Sequence, residues 1–226
     1  MPTAAALTWD AVGEHLYETG VDQVALYVMN GNTYGDGVAW NGVTAITESP
    51  SGADATDIYA DNIKYLSLRS AENFGATIEA YSSPDEFDQC DGMATPATGV
   101  TIRQQTRKPF GLAYRTLVGN DTQSNDHGYQ IHLIYNATAA PSEKAYQTVN
   151  ESPEAITLSW ELSTTPIAIA DHPELKPTAH ITIDSTKVDA TKLESFLAII
   201  YGSTQANARL PLPAEVISHF SGKIGE

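Results

Sequence analysis

The segment AITLSWELS, from Ala155 to Ser163, alternates apolar and polar side chains more clearly than any other part of the chain. Successive side chains of an extended strand point to opposite faces of its sheet. One face of this segment would then be apolar and the other polar: Ile156, Leu158, Trp160 and Leu162 against Thr157, Ser159, Glu161 and Ser163. Such a strand is typical of an antiparallel sheet that has one side in water.

Similar alternation recurs along the chain and predicts further strands. The clearest ranges are 24–28, 110–116, 128–135 and 178–184, and weaker signals lie at 63–68 and 76–81. Clusters of turn-forming residues separate them, at 30–32, 49–52, 119–121, 125–128 and 150–153. The segment Phe110 to Tyr135 therefore predicts a hairpin with a polar loop of about ten residues.

Helical periodicity is confined to two places. Leu193, Phe196, Leu197 and Ile200 follow the spacing of one helix face. Asp189 can cap that helix at its start and Gly202 can end it. Pro213 suits the first position of a second helix, with Val216, Ile217 and Phe220 on one side. An acidic stretch from Pro84 to Cys90 predicts one further helical turn.

The first twenty of the 226 residues are small, polar and weakly patterned. They predict an N-terminal arm, residues 1–20, followed by a single domain, residues 21–226. No stretch approaches the ~20 apolar residues that span a membrane, so we expect no membrane insertion.

The charge balance excludes several classes of protein. Twelve basic and 28 acidic residues give a net charge of −16, whereas a protein that grips phosphates needs a basic patch. The one tight basic cluster comprises Arg103, Arg107, Lys108 and Arg115. A single cysteine, Cys90, excludes a disulfide framework within the chain and a cysteine-rich zinc site.

Few residue patterns suggest catalysis or metal binding. His127 falls in a predicted turn and His132 on the predicted polar face of a strand, so neither is predicted to be a metal ligand. Carboxylates flank Cys90 and would raise the pKa of its thiol, whereas a nucleophile needs a lowered pKa. There is no phosphate-binding glycine loop and no G-x-S-x-G motif. The sequence predicts no catalytic residue, no cofactor and no metal.

Several longer stretches resemble the major tail proteins of siphophages, the long-tailed bacteriophages with non-contractile tails. The largest is the block from Tyr34 to Gly92, which contains YGDGVAWNGVTAITESPSGADATDIYADNIKYLSLRSAENFGATIEAYSSPDEFDQCDG. Others are RKPFGLAYRTLVGND from Arg107, HGYQIHLIYNATAAPSEKAYQTVNESPEAITLSWELSTTP from His127, LKPTAHITIDST from Leu175 and LPLP from Leu210. The similarity runs from about Val21 nearly to the end, and its order and spacing make it more specific than any single motif.

The resemblance implies a fold and an assembly. The fold would be an antiparallel β-sandwich or barrel with one flanking α-helix, like the tube protein of type VI secretion systems, and without the C-terminal immunoglobulin-like domain of some relatives. Six subunits would form a ring, and stacked rings would form the tail tube through which genomic DNA passes. Further partners would be the tape measure protein and the tail terminator and tip proteins. The subunit would be made in the host cytoplasm and end in the virion, as a structural protein and not an enzyme.

An acidic chain suits such a conduit, because a basic lumen would bind DNA and stall it. Polar strand faces supply candidate lumen residues, namely Glu79, Thr157, Ser159 and Glu161; the alternative is that these faces are simply outer, solvated surfaces. We expect Arg103, Arg107, Lys108 and Arg115 to form salt bridges between subunits, with DNA contacts as the alternative.

Two other classes of function stay open at this stage. The chain could be a non-polymerising virion decoration protein or a carbohydrate-binding β-sandwich, although it has only three tryptophans to offer a sugar: Trp9, Trp40 and Trp160. It could also be an enzyme on a β-sandwich scaffold, which would need a convergent set of titratable groups.

Overall fold

The computed structural model describes residues 6–149 and 155–221, so the predicted turn at 150–153 lies outside the described residues. The strands, in chain order, are β1 (Tyr17–Asn30), β2 (Thr33–Ala39), β3 (Val43–Glu48), β4 (Ser51–Gly52), β5 (Ala55–Ala60), β6 (Ile63–Arg69), β7 (Glu72–Asn73), β8 (Gly75–Ala80), β9 (Ala94–Ala97), β10 (Val100–Ile102), β11 (Phe110–Asn120), β12 (Ser124–Ala139), β13 (Leu158–Thr164) and β14 (His180–Asp184). The helices are α1 (Ala190–Ile200) and α2 (Pro213–Ser221), and a 3-10 turn spans Asp85–Gln89.

Eight of the strands form one antiparallel sheet. Its order is β2-β1-β11-β12-β13-β8-β3, and β14 pairs with β12 beside β13. Strand β12 is long enough to serve two neighbours: residues 130–134 pair with β14, and residues 137–139 pair with β13. The sheet curls so that β3, at one end of the order, contacts β1 near the other.

The curled sheet encloses the first hydrophobic core. Trp160 lies at its centre, fully buried, with the rings of Trp40 and Phe87 at 5.5 Å and 5.1 Å between centroids. Leu26 from β1, Leu112 from β11 and further residues of β8 and β12 complete it. The alternation predicted for the quoted segment is confirmed over β13, where Trp160 and Leu162 are buried and Glu161 and Ser163 are exposed. Ile156 precedes the strand and is exposed.

The second core lies on the outer face of β1, β11 and β12, under the helices. Leu193, Phe196 and Ile200 of α1 and Val216 of α2 pack there against Tyr27 and Tyr135, among others. The predicted cap of α1 is confirmed, because the Asp189 side chain accepts hydrogen bonds from the Thr191 and Lys192 amides. The predicted class, mainly antiparallel β, is confirmed; two helices cover this face where the resemblance implied one.

Two cores on opposite faces change the pattern expected of β12. Ile134 faces the first core, while Ile131, Leu133 and Tyr135 face the second. The strand therefore has no wet face over this range. The prediction that His132 lies on a polar face is wrong, because His132 is only 6% exposed.

The hairpin of β11 and β12 has a much shorter loop than predicted. Asn120 pairs with Ser124, which leaves three residues, 121–123, in the turn. The Asn120 side-chain oxygen accepts hydrogen bonds from the Thr122 and Gln123 amides, at 3.2 and 2.6 Å, and so closes the turn. The predicted loop of about ten residues is wrong, because residues 125–128 continue the strand.

The structure also shows where the predicted N-terminal arm meets β1 and what the predicted acidic turn forms. Strand β1 begins at Tyr17, inside the range 1–20, because Tyr17 and Glu18 pair with Gly119 and Val118 of β11. The helical turn predicted between Pro84 and Cys90 is confirmed as the 3-10 turn, and it inserts Phe87 into the first core.

Truncating the central tryptophan should destabilise the fold strongly. Trp160→Ala is expected to lower the free energy of unfolding by about 3–5 kcal/mol, because it leaves a cavity beside Trp40 and Phe87. Trp9→Ala is the matched control, since Trp9 is 75% exposed, and should change stability by less than about 0.5 kcal/mol. Denaturant unfolding of both variants checks this, and equal losses would contradict the assignment of the core.

Candidate assembly surface

Strands β3 to β8 form one long hairpin that runs beyond the sheet. Its pairing keeps a single register from Glu48 and Ala76 through Ser51 and Asn73 to Ala55 and Arg69. At the tip, Asp61 and Asn62 have φ of 50° and 62°. Two successive residues of positive φ form the type I′ turn that favours a tight hairpin. The predicted turn at residues 49–52 is wrong, because β4 takes up Ser51 and Gly52 within this hairpin.

The outer part of this hairpin, residues 55–69, which we call the hairpin arm, leaves many apolar side chains in solvent. Tyr59, Ile63 and Tyr65 are 68%, 64% and 67% exposed. Ile58 and Tyr59, which are 40% and 68% exposed, are neighbours in β5 and so face opposite sides, which leaves apolar groups on both faces. An isolated two-stranded hairpin is at best marginally stable in water. Exposed apolar groups of this extent indicate a surface that a partner covers.

Polar pairs hold the arm together while it is uncovered. Lys64 Nζ lies 2.7 Å from Asp57 Oδ1, and Ser67 Oγ donates to the same oxygen at 2.5 Å. Both hydrogen bonds lower the pKa of the Asp57 carboxyl, and the one from Lys64 has the larger effect. These contacts fix the register of the two strands without covering the apolar side chains.

The segment before β1 presents a second exposed apolar surface. Leu7, Trp9 and Val12 are each at least 75% exposed. The Gly13 amide donates to both carboxylate oxygens of Asp121, at 3.0 and 3.1 Å, and this bond lowers the pKa of Asp121. The segment is therefore attached beside the turn between β11 and β12, with its apolar side chains left outward.

The candidate lumen residues gather on one outer face of the sheet. Glu79 of β8 pairs with Ser159 of β13, and Thr77 pairs with Glu161, on the side of the sheet opposite Trp160. Glu79 and Glu161 are exposed. Thr157 is also exposed but precedes β13. The three strands β3, β8 and β13 contain no lysine or arginine, so this face, which we call the acidic face, is free of basic groups from its own strands.

The predicted basic cluster is engaged mostly within the chain. Arg107 Nη1 donates to Ala139 O at 2.9 Å and lies 3.3 Å from the buried Asp91 carboxylate. Lys108 Nζ donates to Asn30 Oδ1 at 3.3 Å. The structure thus places two of these cations against their own subunit, and their predicted contacts with a neighbouring subunit stay a prediction.

Arg115 makes the most regular of these ion pairs. Its Nε and Nη2 donate to the two carboxylate oxygens of Asp22, at 2.7 and 2.6 Å. The guanidinium also lies 5.3 Å from the centre of the Tyr129 ring. The hydrogen bonds that Arg115 donates to Asp22 raise the pKa of the guanidinium. This paired geometry joins β1 to β11. Among the four cations, Arg103 is exposed and the other three are partly buried.

The residues considered for catalysis are placed unfavourably for it. Cys90 is fully buried, and burial raises the pKa of its thiol to about 12. His127 lies in β12, with Nδ1 2.9 Å from Gln123 Oε1. Trp40 and Trp160 are buried in the first core, so neither offers the exposed ring platform that a sugar-binding surface needs.

One group of ligand side chains went unrecognised in the sequence. Glu48, His132 and His180 place three potential metal-ligand atoms within 4.8 Å of one another. They come from β3, β12 and β14, so no short spacing of residues along the sequence indicates the group. Only the folding of the sheet brings them together.

Some solved structures resemble this chain weakly. A scan against models of protein families finds no match, and a search of curated proteins finds none either. Among solved structures, a chain of the six-fold symmetrised anti-feeding prophage baseplate has a TM-score of 0.36 at 9% identity, covering 78% of this chain and 97% of that chain. A chain of the extended sheath–tube complex of an extracellular contractile injection system, PVC, has a TM-score of 0.31 at 12% identity, covering 72% and 88%.

Reversing the charge of Arg107 should destabilise the single subunit. Arg107→Glu would set a second carboxylate beside Asp91, whose side chain is 4% exposed, and is expected to cost about 3 kcal/mol of unfolding free energy. The control Arg103→Glu, at an exposed position, should stay within about 0.5 kcal/mol. Both are measured by denaturant unfolding at low protein concentration. An unchanged Arg107 variant would show that its contacts within the chain matter little.

Proposed function

We propose that this chain is the tube subunit of a long-tailed bacteriophage, a major tail protein that assembles into stacked hexameric rings. It is a structural protein and not an enzyme. The resemblance of the sequence suggests this function, and the structural observation that carries it is the hairpin arm. A single chain leaves Tyr59, Ile63, Tyr65 and Leu68 uncovered on a two-stranded projection, which suits contact with a neighbouring copy.

The sheet itself supports lateral assembly. Strands β2 and β3 end the strand order, and uncovered sheet edges are a liability that proteins cover or pair. The β2 edge is covered in part, because the Gly37 amide donates to Ala208 O at 2.8 Å. In a closed ring, edges of neighbouring subunits can be joined, as closure removes edges in any barrel. Six subunits that each contribute the three strands of the acidic face would enclose a channel roughly 35 Å across the backbone.

The acidic face suits the inner wall of this channel. Its strands carry Glu79 and Glu161 and no basic residue. Duplex DNA bears about one charge per 1.7 Å of its length, so a wall of this sign repels the duplex and keeps it mobile. Genomic DNA is thus a passing occupant of the lumen and not a bound ligand.

The remaining partners follow from the position of a tube in a tail. The tape measure protein would fill the lumen before the DNA, and terminator and tip proteins would contact the two ends of the tube. The subunit would be assembled in the host cytoplasm and reside in the virion. No helix within residues 6–149 and 155–221 is long and apolar enough to cross a membrane.

Placing charges on the hairpin arm should abolish assembly without unfolding the subunit. The double variant Ile63→Asp, Tyr65→Asp is expected to reduce assembled protein at least ~10-fold, because both side chains are exposed in the monomer and would be buried in a ring contact. Light scattering and negative-stain electron microscopy at rising concentration, with added tail-tip complex as initiator, measure rings and tubes. Circular dichroism checks the fold.

A matched control separates the arm from exposed hairpins in general. Val100→Asp, Ile102→Asp alters two exposed apolar residues of the β9–β10 hairpin and should leave assembly unchanged. Equal loss in both variants would contradict a specific contact of the arm. A wild-type chain that stays monomeric even with the tip complex would overturn the proposed tube and favour a non-polymerising module.

Reversing charge on the acidic face should slow the passage of DNA. Virions with Glu79→Lys or Glu161→Lys are expected to eject DNA several-fold more slowly, because each ring would gain six cations facing the duplex. The control Glu194→Lys makes the same charge change on α1, at an exposed position away from this face. Ejection is timed by dye binding to released DNA. Equal rates in all variants would place the acidic face on the outside of the tube.

A further inference from the structure

Three ligand side chains converge where the long hairpin leaves the sheet. Glu48 is the last residue of β3, and His132 and His180 lie in β12 and β14. Glu48 Oε1 is 3.5 Å from His132 Nδ1 and 3.6 Å from His180 Nε2, and the two nitrogens are 3.3 Å apart. The three atoms form a nearly equilateral triangle. In a tetrahedral zinc site, with bonds of about 2.0–2.1 Å, neighbouring ligand atoms lie roughly 3.3 Å apart.

The two imidazoles present their nitrogens to each other. The rings are within 5° of parallel, and their centroids are 5.4 Å apart. Rings stacked face to face would have centroids about as close as the nitrogens, which are 3.3 Å apart. The larger centroid distance means that the rings lie nearly edge to edge, with His132 Nδ1 and His180 Nε2 between them. A metal near these two atoms would lie close to both ring planes, where the lone pairs are.

Neighbouring groups orient two of the three ligands. Thr116 Oγ1 lies 3.0 Å from His132 Nε2, so this hydroxyl can accept a hydrogen bond from Nε2–H. In that tautomer the lone pair of Nδ1 is available to a metal. Tyr114 Oη donates to Glu48 Oε1 at 2.7 Å. Hydrogen bonds of this kind fix the tautomer and direction of metal ligands.

Aromatic rings hold the histidines in place. Tyr114 stacks on His132 with centroids 4.6 Å apart, and Phe74 stacks on His180 at 4.5 Å.

Burial lowers the pKa of both histidines against the opposing effect of Glu48, which favours the neutral imidazole that binds metals. The side chains of His132 and His180 are 7% and 18% exposed, and that of Glu48 is 38% exposed. The open side beside Glu48 leaves room for a fourth ligand from solvent.

We propose that Glu48, His132 and His180 bind a zinc ion, with water as the fourth ligand. Two imidazoles and one carboxylate are a donor set that suits zinc, whereas oxygen-only sites suit magnesium and calcium. The ion would tie the end of β3, where the long hairpin leaves the sheet, to β12 and β14. Its structural effect would be to fix the direction of that hairpin, and with it the position of the hairpin arm at its outer end.

The competing explanation is a hydrogen bond between the two histidines, in which one ring donates to the other. It would produce the same geometry without a metal.

Titration of the chelator-treated, dialysed full chain with zinc chloride in a calorimeter distinguishes the zinc site from this hydrogen bond. The proposal expects one equivalent bound by the wild type. Glu48→Gln and His180→Gln should each weaken binding at least ~10-fold, and Thr116→Val, which removes only an orienting group, should weaken it by about 10- to 100-fold.

Matched controls exclude binding by other surface groups. His127→Gln and His172→Gln remove histidines outside the triangle and should bind zinc as the wild type does. Circular dichroism confirms that each variant is folded, and Glu48→Gln keeps a side-chain oxygen that can accept the hydrogen bond from Tyr114 Oη. Hydrogen exchange supplies a second readout: zinc should slow exchange in residues 43–48 of the wild type and not of Glu48→Gln. Absence of stoichiometric binding, or equal binding by all variants, would overturn the proposal.

Discussion

The fold depends on burying both faces of three neighbouring strands, β1, β11 and β12. One face meets β8 and β13 across the first core, and the other meets α1 and α2 across the second. Removing this much apolar surface from water is the dominant favourable contribution to folding. Because the buried parts of these strands, Val24–Val28, Phe110–Tyr114 and Ile131–Tyr135, leave no polar face in water, polar sheet surface lies elsewhere. Part of it is on β3, β8 and β13, where the acidic face lies.

The sequence predicted the parts of this arrangement that depend on one local period. Trp160 and Leu162 are buried as their alternation indicates, and Asp189 caps α1 as its position before an amphipathic stretch indicates. Residues 128–135 also alternate, and for that reason His132 was expected in solvent. Alternation cannot show that a second core covers the other face of the strand, so His132 lies among packed side chains instead. The turn after Asn120 was predicted but its loop was expected to be too long, because the turn closes through one side chain that bonds two amides, within a run of residues that all favour turns.

The hairpin arm and the ligand triangle show why long-range features escape a reading of the sequence. The arm is encoded by a pairing that spans residues 43–80. The sequence gave a weak signal for residues 63–68 and none for residues 55–60, because neither strand of the arm has a buried face. The triangle joins residues from three strands whose adjacency is decided by the curl of the sheet. The acidic face was foreseeable in part: Ser159 and Glu161 share one side of β13 as their alternation predicted, whereas Glu79 lies beside them through the pairing of β8 with β13, which the sequence did not predict.

The burial of Cys90 has a practical consequence for chemical labelling. It is the single cysteine of the chain, it is fully buried, and its raised pKa keeps the thiol protonated near neutral pH. Thiol reagents act on the accessible thiolate, so the native chain offers them almost no target. A cysteine introduced at the tip of the hairpin arm or on the acidic face would then be the one reactive site, and reagents of graded size could report how open its surroundings are.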